Sequence, residues 1–287
     1  MRTTAALISI LLFASQWGQG QHDIVYRQLD LHEVFYNPAS AGAALLPVTN
    51  LSYQKQWLGV PQSPSTILAS GHVRLGSRNF YTNRMMVNKG ELSTGGPVGL
   101  GLGMYADQNG PAASRGLNMS YAYHLVLDEW FLGLGIAASA EQDALNGTSW
   151  DPIQPGDPLL EAVKESFFHF NANLGMVLSR EGFYGGVAIS HLLPLQDKLN
   201  PGSRVAQDFL LHGSYMLRSG EAIQLEPALF LRYLDYERLE YDVRIRAYLN
   251  RSHWMALTYH SHRALGLSLG FSAGAMYLAY QFEGNLG

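Results

Sequence analysis

The segment Leu239–Leu249 reads LEYDVRIRAYL and is the most informative stretch of the chain. Every second residue, starting at Leu239, is apolar, and the residues between them are Glu240, Asp242, Arg244, Arg246 and Tyr248. Successive side chains of a β-strand point to opposite faces, so this strand has one apolar face and one charged face. A soluble sandwich would turn the charged face to water, whereas a membrane barrel turns it inward.

The same two-faced pattern continues along most of the chain. About thirteen strand-like stretches lie between Val48 and Phe282, and many of them are about ten residues long. A tilted strand needs about that length to cross a bilayer. The pattern predicts an all-β protein, a transmembrane antiparallel β-barrel preceded by a short N-terminal segment.

The start of the chain predicts export. Residues 1–20 carry a positive charge at Arg2, an apolar core and small residues at Gly18 and Gly20, as a secretory signal does. The apolar core is too short for a membrane-spanning helix. We therefore predict a signal peptide over 1–20, a periplasmic segment over 21–46 and an outer-membrane barrel over 47–287.

Composition limits both the forces that hold the fold and the partners that the protein can bind. The chain has no cysteine, so no disulfide holds it together. Its net charge of −4 provides no general basic character, which argues against nucleic acid as a partner.

The predicted connections differ in length. Residues such as Asp128-Glu129 and Ser219-Gly220 predict tight turns, while 77–96, 142–165 and 192–204 are long. Short turns at one end and long loops at the other are typical of outer-membrane barrels.

Charges of both signs are predicted on the inner face. Glu226 and Arg232 share one face of a strand, and the next strand carries Glu240, Asp242, Arg244 and Arg246 on one face. Acids and bases in equal number favour ion pairs that fill the lumen, whereas an open pore more often keeps one sign of charge at its constriction. We therefore predict an occluded lumen.

Two small-residue motifs have structural and functional interpretations. In the segment Asn37–Gly42, Pro38 and Gly42 fix a bend, which is either a docking turn for a periplasmic partner or a structural turn or lid over the barrel mouth. In Val98–Gly103 the alternate glycines leave the inner face empty, so that a plug or a loop can approach. This strand lacks the Lys-Ser/Thr ending of a phosphate loop.

Sequence motifs give little support for catalysis or metal binding. Asp107–Gly110 resembles the start of a calcium loop, but Pro111 follows and a hairpin turn is the better interpretation. His260 and His262 share a strand face without a third ligand nearby in sequence. The remaining histidines form no acid–base group, so we predict no enzymatic activity, no cofactor and no metal.

Five motifs in order resemble the PorP/SprF family of outer-membrane proteins, which is associated with type IX secretion and gliding motility. They are YNPASAG at 36–42, YQKQWLG at 53–59 with SPST at 63–66, VGLGLG at 98–103, DQNGP at 107–111 and SYAYH at 120–124. The resemblance implies a barrel of about fourteen strands that ends in a strand after a segment like Tyr280–Phe282. Thirteen strands are visible here, and we favour a missing closing strand over a miscount.

The resemblance also implies a role. The expected protein links the secretion machinery to periplasmic ring or lipoprotein components, or anchors a secreted surface protein, within outer-membrane lipid. The predicted partner-binding residues are Asn37, Pro38, Gly42, Gln56 and Trp57. A substrate-selective channel or transporter of hydrophobic compounds is the alternative. Aromatic residues predicted at the two membrane interfaces are Trp57, Trp130, Trp254, Tyr233 and Tyr280.

Overall fold

The computed structural model describes most of the chain after the predicted signal. The described residues are 30–44, 46–75, 98–145, 166–193, 195–196, 204–205, 207–218, 223–234, 238–249, 253–274 and 276–286. The predicted signal peptide and the first residues of the N-terminal segment lie outside these ranges. Within them, no helix has the length and apolar character needed to cross a membrane.

The described elements are one short helix, one 3₁₀ turn and sixteen strands. They are α1 Glu33–Tyr36, the 3₁₀ turn Pro38–Ser40, β1 Val48–Lys55, β2 Ser65–Leu75, β3 Val98–Asn109, β4 Ala112–Leu127, β5 Trp130–Leu145, β6 Ser166–Arg180, β7 Phe183–Ser190, β8 Leu195–Gln196, β9 Arg204–Val205, β10 Asp208–Tyr215, β11 Leu217–Arg218, β12 Ile223–Leu234, β13 Arg238–Leu249, β14 His253–His260, β15 Ala264–Ala273 and β16 Met276–Asn285.

Thirteen of these strands follow one another in a single antiparallel sheet, which confirms the predicted all-β fold and its strand count. Its order is that of the chain, with β8 and β9 forming a separate pair and β11 pairing with β12. The hairpin predicted at Asp107–Gly110 is confirmed, because β3 and β4 pair up to Asn109 and Ala112. Gly110 supplies the positive φ of +58° that this turn needs.

The two faces of the sheet differ as the sequence predicts. In β13 the apolar side chains of Tyr241, Val243 and Ile245 are 38–55% exposed, whereas Arg244 and Arg246 are buried. Neighbouring strands repeat this arrangement, with Leu257 of β14 and Leu267 of β15 in register with Ile245 on the outer face. Apolar side chains exposed in this continuous way suit a lipid surround.

The connections separate into two ends of the sheet. At the end we call the short-turn end lie the connections 128–129, 181–182, 219–222, 250–252 and 274–275. The opposite end, called the loop end, carries the longer connections 56–64, 146–165 and 191–207 together with the short connections 110–111, 235–237 and 261–263. The connection 76–97 is long but lies at the short-turn end, and three short connections lie at the loop end. The prediction that short turns and long loops lie at opposite ends is therefore wrong for these four connections.

The sheet curves round residues Asp30–Gly42, which we call the inner segment. Its contacts include Ser70 of β2 and Arg246 of β13. Both edge strands approach its first residues, because Asn50 of β1 donates to the carbonyl oxygen of Leu31 and Gln281 of β16 lines a small cavity with Asp30. The edge strands β1 and β16 run in the same direction, since the antiparallel sheet has an odd number of strands. The described sheet therefore forms a barrel wall with a seam between β1 and β16.

A charge on the outer face tests whether lipid covers it. Leu257→Arg places a guanidinium at the middle of β14, and we expect it to lower the free energy of unfolding by about 2–4 kcal/mol. The measurement is urea unfolding of the protein in lipid vesicles. Leu58→Arg is the control, because Leu58 is 76% exposed in the β1–β2 connection beyond the strands. Equal effects of the two substitutions would contradict a lipid-covered face.

Candidate functional site

The inner segment is a compact double turn at the centre of the molecule. The one-turn helix α1 ends at Asn37, and the 3₁₀ turn begins at Pro38, whose fixed φ suits a first helical position. The backbone N–H of Ala39 donates to the Asn37 side-chain oxygen over 3.1 Å, and the Ser40 hydroxyl donates to the Asn37 carbonyl oxygen over 2.8 Å. These local bonds shape the segment before it contacts the wall.

Glycines in the wall make room for its backbone. A Cβ atom built on Gly99 would lie 1.9 Å from the carbonyl oxygen of Ala41, and one on Gly135 would lie 2.2 Å from the backbone nitrogen of Ala39. A Cβ on Gly175 would lie 2.0 Å from the Asn37 side-chain oxygen. Only glycine permits so close an approach at these three positions.

The alternate glycines of Val98–Gly103 serve the same purpose. A Cβ atom built on Gly101 would lie less than 2.5 Å from Val34, and one built on Gly103 would lie less than 2.5 Å from the Phe35 ring. The prediction that a plug or loop approaches this strand is therefore confirmed. The inner segment itself is that plug.

Asn37 lies at the deepest point of the segment and is completely buried. Its side-chain nitrogen donates to the Met176 carbonyl oxygen over 3.1 Å and lies 3.2 Å from His212 Nε2. The Glu33 carboxylate lies 3.5 Å from the same histidine nitrogen and accepts a hydrogen bond from the Tyr184 hydroxyl. The segment is thus held by polar contacts with β6, β7 and β10.

Three histidines attach the flanks of the segment to the wall. His124 Nε2 lies 2.7 Å from the Ala41 carbonyl oxygen, the Gly42 N–H donates to His72 Nδ1 over 3.1 Å, and His32 Nδ1 lies 2.8 Å from the Ser70 hydroxyl. Burial lowers the pKa of the His32 imidazole to about 4, although the nearby Asp30 carboxylate acts in the opposite sense. At neutral pH His32 is therefore an uncharged hydrogen-bonding group.

A buried cluster of charges fixes the start of the segment. The Asp30 carboxylate lies 2.8 Å from Arg244 Nη1 and also bonds Arg246, and all three side chains are at most 7% exposed. Glu226 accepts a hydrogen bond from the Tyr248 hydroxyl over 2.8 Å and lies 3.7 Å from Arg246. Two arginines thus face two carboxylates, so the cluster is neutral overall. Such a cluster is costly to disrupt, because a lost partner leaves a buried charge uncompensated.

The remaining predicted inner-face charges also have partners. Arg232 donates to Glu240 over 2.6 Å, and Asp242 lies 2.7 Å from His260 Nδ1. His260 is the last residue of β14 and His262 lies in the following turn, yet their imidazole rings stack with centroids 5.3 Å apart. Among the described residues, no group of three or more histidine or carboxylate side chains is placed to hold a metal ion.

One aromatic prediction is wrong. Trp254 lies on the inner face, only 5% exposed, and the Arg246 guanidinium lies 4.3 Å from its ring centroid. The cause is strand register, since Trp254 pairs with Tyr248, which also faces inward. By contrast, Tyr280 is 66% exposed and Tyr233 39% exposed, as interface residues would be.

The predicted partner-binding residues fall into two separate groups. Asn37, Pro38 and Gly42 are buried in the inner segment, whereas Gln56 and Trp57 lie in the β1–β2 connection at the loop end. Trp57 is 58% exposed and has a φ of +47°, an unusual conformation for a bulky residue. The turn is closed by the Gln56 N–H donating to the Pro64 carbonyl oxygen over 3.0 Å.

Sequence reasoning missed Asp30, Glu33 and His212 as members of the central contact network. Asp30 and Arg246 are 216 positions apart, so no local pattern links them. The sequence did contain one sign that a further acidic residue belongs to this network. Arg244 and Arg246 are adjacent on the inner face of one strand, and two neighbouring buried cations call for an additional acid.

A comparison with protein families accounts for this architecture. The sequence model described as type IX secretion system membrane protein PorP/SprF matches residues 18–287. The chain belongs to the PorP/SprF family. A search of curated proteins returns no match. The match extends from the inner segment through β16, so the inner segment and the wall fall within one PorP/SprF region.

The glycine-lined wall makes a steric prediction. Gly99→Ala introduces a Cβ atom where the backbone of Ala41 and Gly42 lies, so we expect displacement of the inner segment. Because the chain has no cysteine, a Ser40→Cys substitution reports this displacement through maleimide labelling. Ser40 is 5% exposed, so labelling should be slow, and at least tenfold faster when Gly99→Ala is added. Gly213→Ala is the control, since the nearest described atom lies 3.8 Å from the new Cβ.

The buried charge cluster makes an energetic prediction. Asp30→Ala leaves Arg244 and Arg246 with less than their full complement of negative charge, and we expect the free energy of unfolding to fall by about 3–5 kcal/mol. Glu129→Ala breaks the exposed pair with Arg180 and should cost about 0–1 kcal/mol. Urea unfolding in vesicles measures both. A cost for Asp30→Ala no larger than that of the control would show that the cluster does not hold the inner segment.

Proposed function

We propose that this protein is an outer-membrane barrel of the type IX secretion system, plugged by its own inner segment, that works as a scaffold. It joins periplasmic ring or lipoprotein components to a secreted surface protein, or retains that surface protein at the cell. Its place in the secretion system follows from its family. The scaffold role is supported by the single observation that the chain's own inner segment packs inside the curved sheet against its glycines and arginines.

The filling of the lumen argues against free diffusion through the barrel. The backbone of the inner segment touches Gly99 and Gly135 at closer range than any water layer allows. At its start, Asp30 bridges two wall arginines, and at its centre Asn37 is bonded to β6. A general channel needs a continuous water-filled path, and these contacts occupy it.

The lengths of the connections suggest an orientation. Outer-membrane barrels generally place short turns in the periplasm and longer loops outside the cell. With that orientation the inner segment enters from the periplasmic side, because Gly42 lies near Gly99 and Val73 at the short-turn ends of β3 and β2. Periplasmic components then meet the short-turn end, and the surface protein meets the loop end.

The β1–β2 connection is the best candidate for contact at the loop end. Trp57, Leu58 and Val60 are each more than half exposed. The outer side chains of Lys55, Ser65 and Gln108 lie in register between this turn and the apolar band below it. Because polar residues separate this turn from the apolar band, the exposed apolar side chains of the turn are better suited to contact with a protein than with lipid.

Planar-bilayer conductance tests whether the inner segment blocks ion flow through the barrel. The purified protein should show no large channel, and replacing Arg244 and Arg246 together with Ala should raise conductance by loosening the inner segment. A large conductance in the unaltered protein would support the alternative of a substrate-selective channel. Arg180→Ala is the control, because the Arg180 side chain lies in an exposed ion pair. If this variant has wild-type conductance, a general effect of lost positive charge is excluded.

Copurification tests the contact at the loop end. Trp57→Asn removes the indole but keeps a residue that tolerates a positive φ, so we expect at least a tenfold loss of secreted surface protein copurifying from detergent-solubilised membranes. Ile67→Ala is the control, since Ile67 is 50% exposed within the apolar band. Unchanged copurification with Trp57→Asn would remove this turn from the proposed interface.

A further inference from the structure

A cavity of about 110 Å³ lies inside the barrel wall at the loop end. Its floor is made by Phe35 and Tyr36 of the inner segment, and its walls include Tyr105, Glu141 and Asp208. One water molecule needs roughly 10–15 Å³ measured in this way, so the cavity accepts a larger group. The strand positions locate it, because Asp208 begins β10 and Ser190 ends β7 at that end.

Two carboxylates line the cavity, Glu141 on β5 and Asp208 on β10. Glu141 lies 3.1 Å from His169 Nε2, and Asp143 lies 3.6 Å from the other nitrogen of that ring. Asp208 lies 3.2 Å from His191 Nδ1. Arg232, which also lines the cavity, bonds Glu240. Among the described side chains that line the cavity, the carboxylates of Glu141 and Asp208 outnumber the single guanidinium of Arg232.

Aromatic rings add a second and independent feature. Phe35 and Tyr36 form the floor, and the Tyr105 ring centroid lies 6.1 Å from that of Phe35 at an interplanar angle of 58°. The faces of aromatic rings attract organic cations within about 6 Å. Carboxylates combined with aromatic faces are the usual surroundings of an ammonium or guanidinium group.

Hydrogen bonds attach the rim of the cavity to β6. Asn173 accepts a hydrogen bond from the His191 N–H over 3.2 Å, and Asn171 accepts one from the Leu193 N–H over 3.0 Å. His191 has a φ of +58°, a conformation retained only where surrounding contacts enforce it. These bonds attach the residues that follow β7 to β6, next to Asp208, which pairs with Ser190 at the end of β7.

We propose that this cavity binds an organic cation, the ammonium or guanidinium end of a basic side chain. Resting on the proposed function, we assign that side chain to a lysine or arginine of the surface protein docked at the loop end. The cation lies between the carboxylates of Glu141 and Asp208, over the aromatic floor.

Small probes test the site without any partner protein. The full-length protein in detergent is titrated with n-butylammonium and n-butylguanidinium, and saturation-transfer NMR measures the dissociation constants. Glu141→Gln and Asp208→Asn should each weaken binding at least tenfold, and Ser190→Leu should weaken it similarly by filling the cavity while preserving charge. Glu129→Gln, at the short-turn end, should change nothing. Neutral n-butanol should bind at least tenfold more weakly than either cation.

Three results would overturn the site: no binding of either cation, equal binding of butanol, or unchanged binding in all three cavity variants. The source of the cation is tested separately by copurification. If Glu141→Gln and Asp208→Asn lose probe binding yet retain the surface protein at wild-type levels, the assignment to that protein is wrong while the site stands. If no surface protein copurifies with the unaltered chain, the anchoring function fails instead.

Discussion

The contact between the inner segment and a glycine-lined wall is the constraint on which the rest of the structure depends. At Gly99, Gly135 and Gly175 the wall and the segment are so close that a single methyl group would separate them. Close packing of two backbones leaves their polar groups without water, so each needs a protein partner. The histidines and Asn37 that bond the segment supply those partners.

Two kinds of interaction hold the segment, and they act at different places. Near Asn37 the contacts are tight packing and hydrogen bonds, which fix position because they are short-ranged. Near Asp30 the contacts are ion pairs with Arg244 and Arg246, which lie on one strand. The Trp254 ring stacks on the Arg246 guanidinium. The side chains of the wall fill the lumen only partly, and the inner segment of the same chain occupies a further part of it.

This arrangement also connects the two ends of the barrel. Asp30 and Gly42 lie towards the short-turn end, while Phe35 and Tyr36 form the floor of the cavity at the loop end. A ligand in that cavity would touch the inner segment directly. In the proposed scaffold, with partners on both sides of a membrane, these packed residues would lie between the two partner sites.

Strand alternation explains how much of the site was predictable. The period of two placed Glu226, Arg232, Glu240, Asp242, Arg244 and Arg246 on the inner face without any structure, because alternate side chains must share a face. Partners on neighbouring strands, such as Arg232 with Glu240 and Asp242 with His260, follow from strand register. Asp30 was not predictable as a partner, because it reaches Arg244 and Arg246 only after the sheet has curved. Trp254 shows the same limit, because its face follows from register with β13 rather than from its own aromatic character.

The two-faced strands, their number and their order followed from the sequence alone, because the pleat fixes which side chains share a face and turn residues mark each end. The small residues of Asn37–Gly42 and the glycines of Val98–Gly103 were both visible as well. That the former pack against the latter was decided only by the tertiary structure. Curvature of the sheet brings positions far apart in sequence within van der Waals distance, and no local pattern encodes that approach.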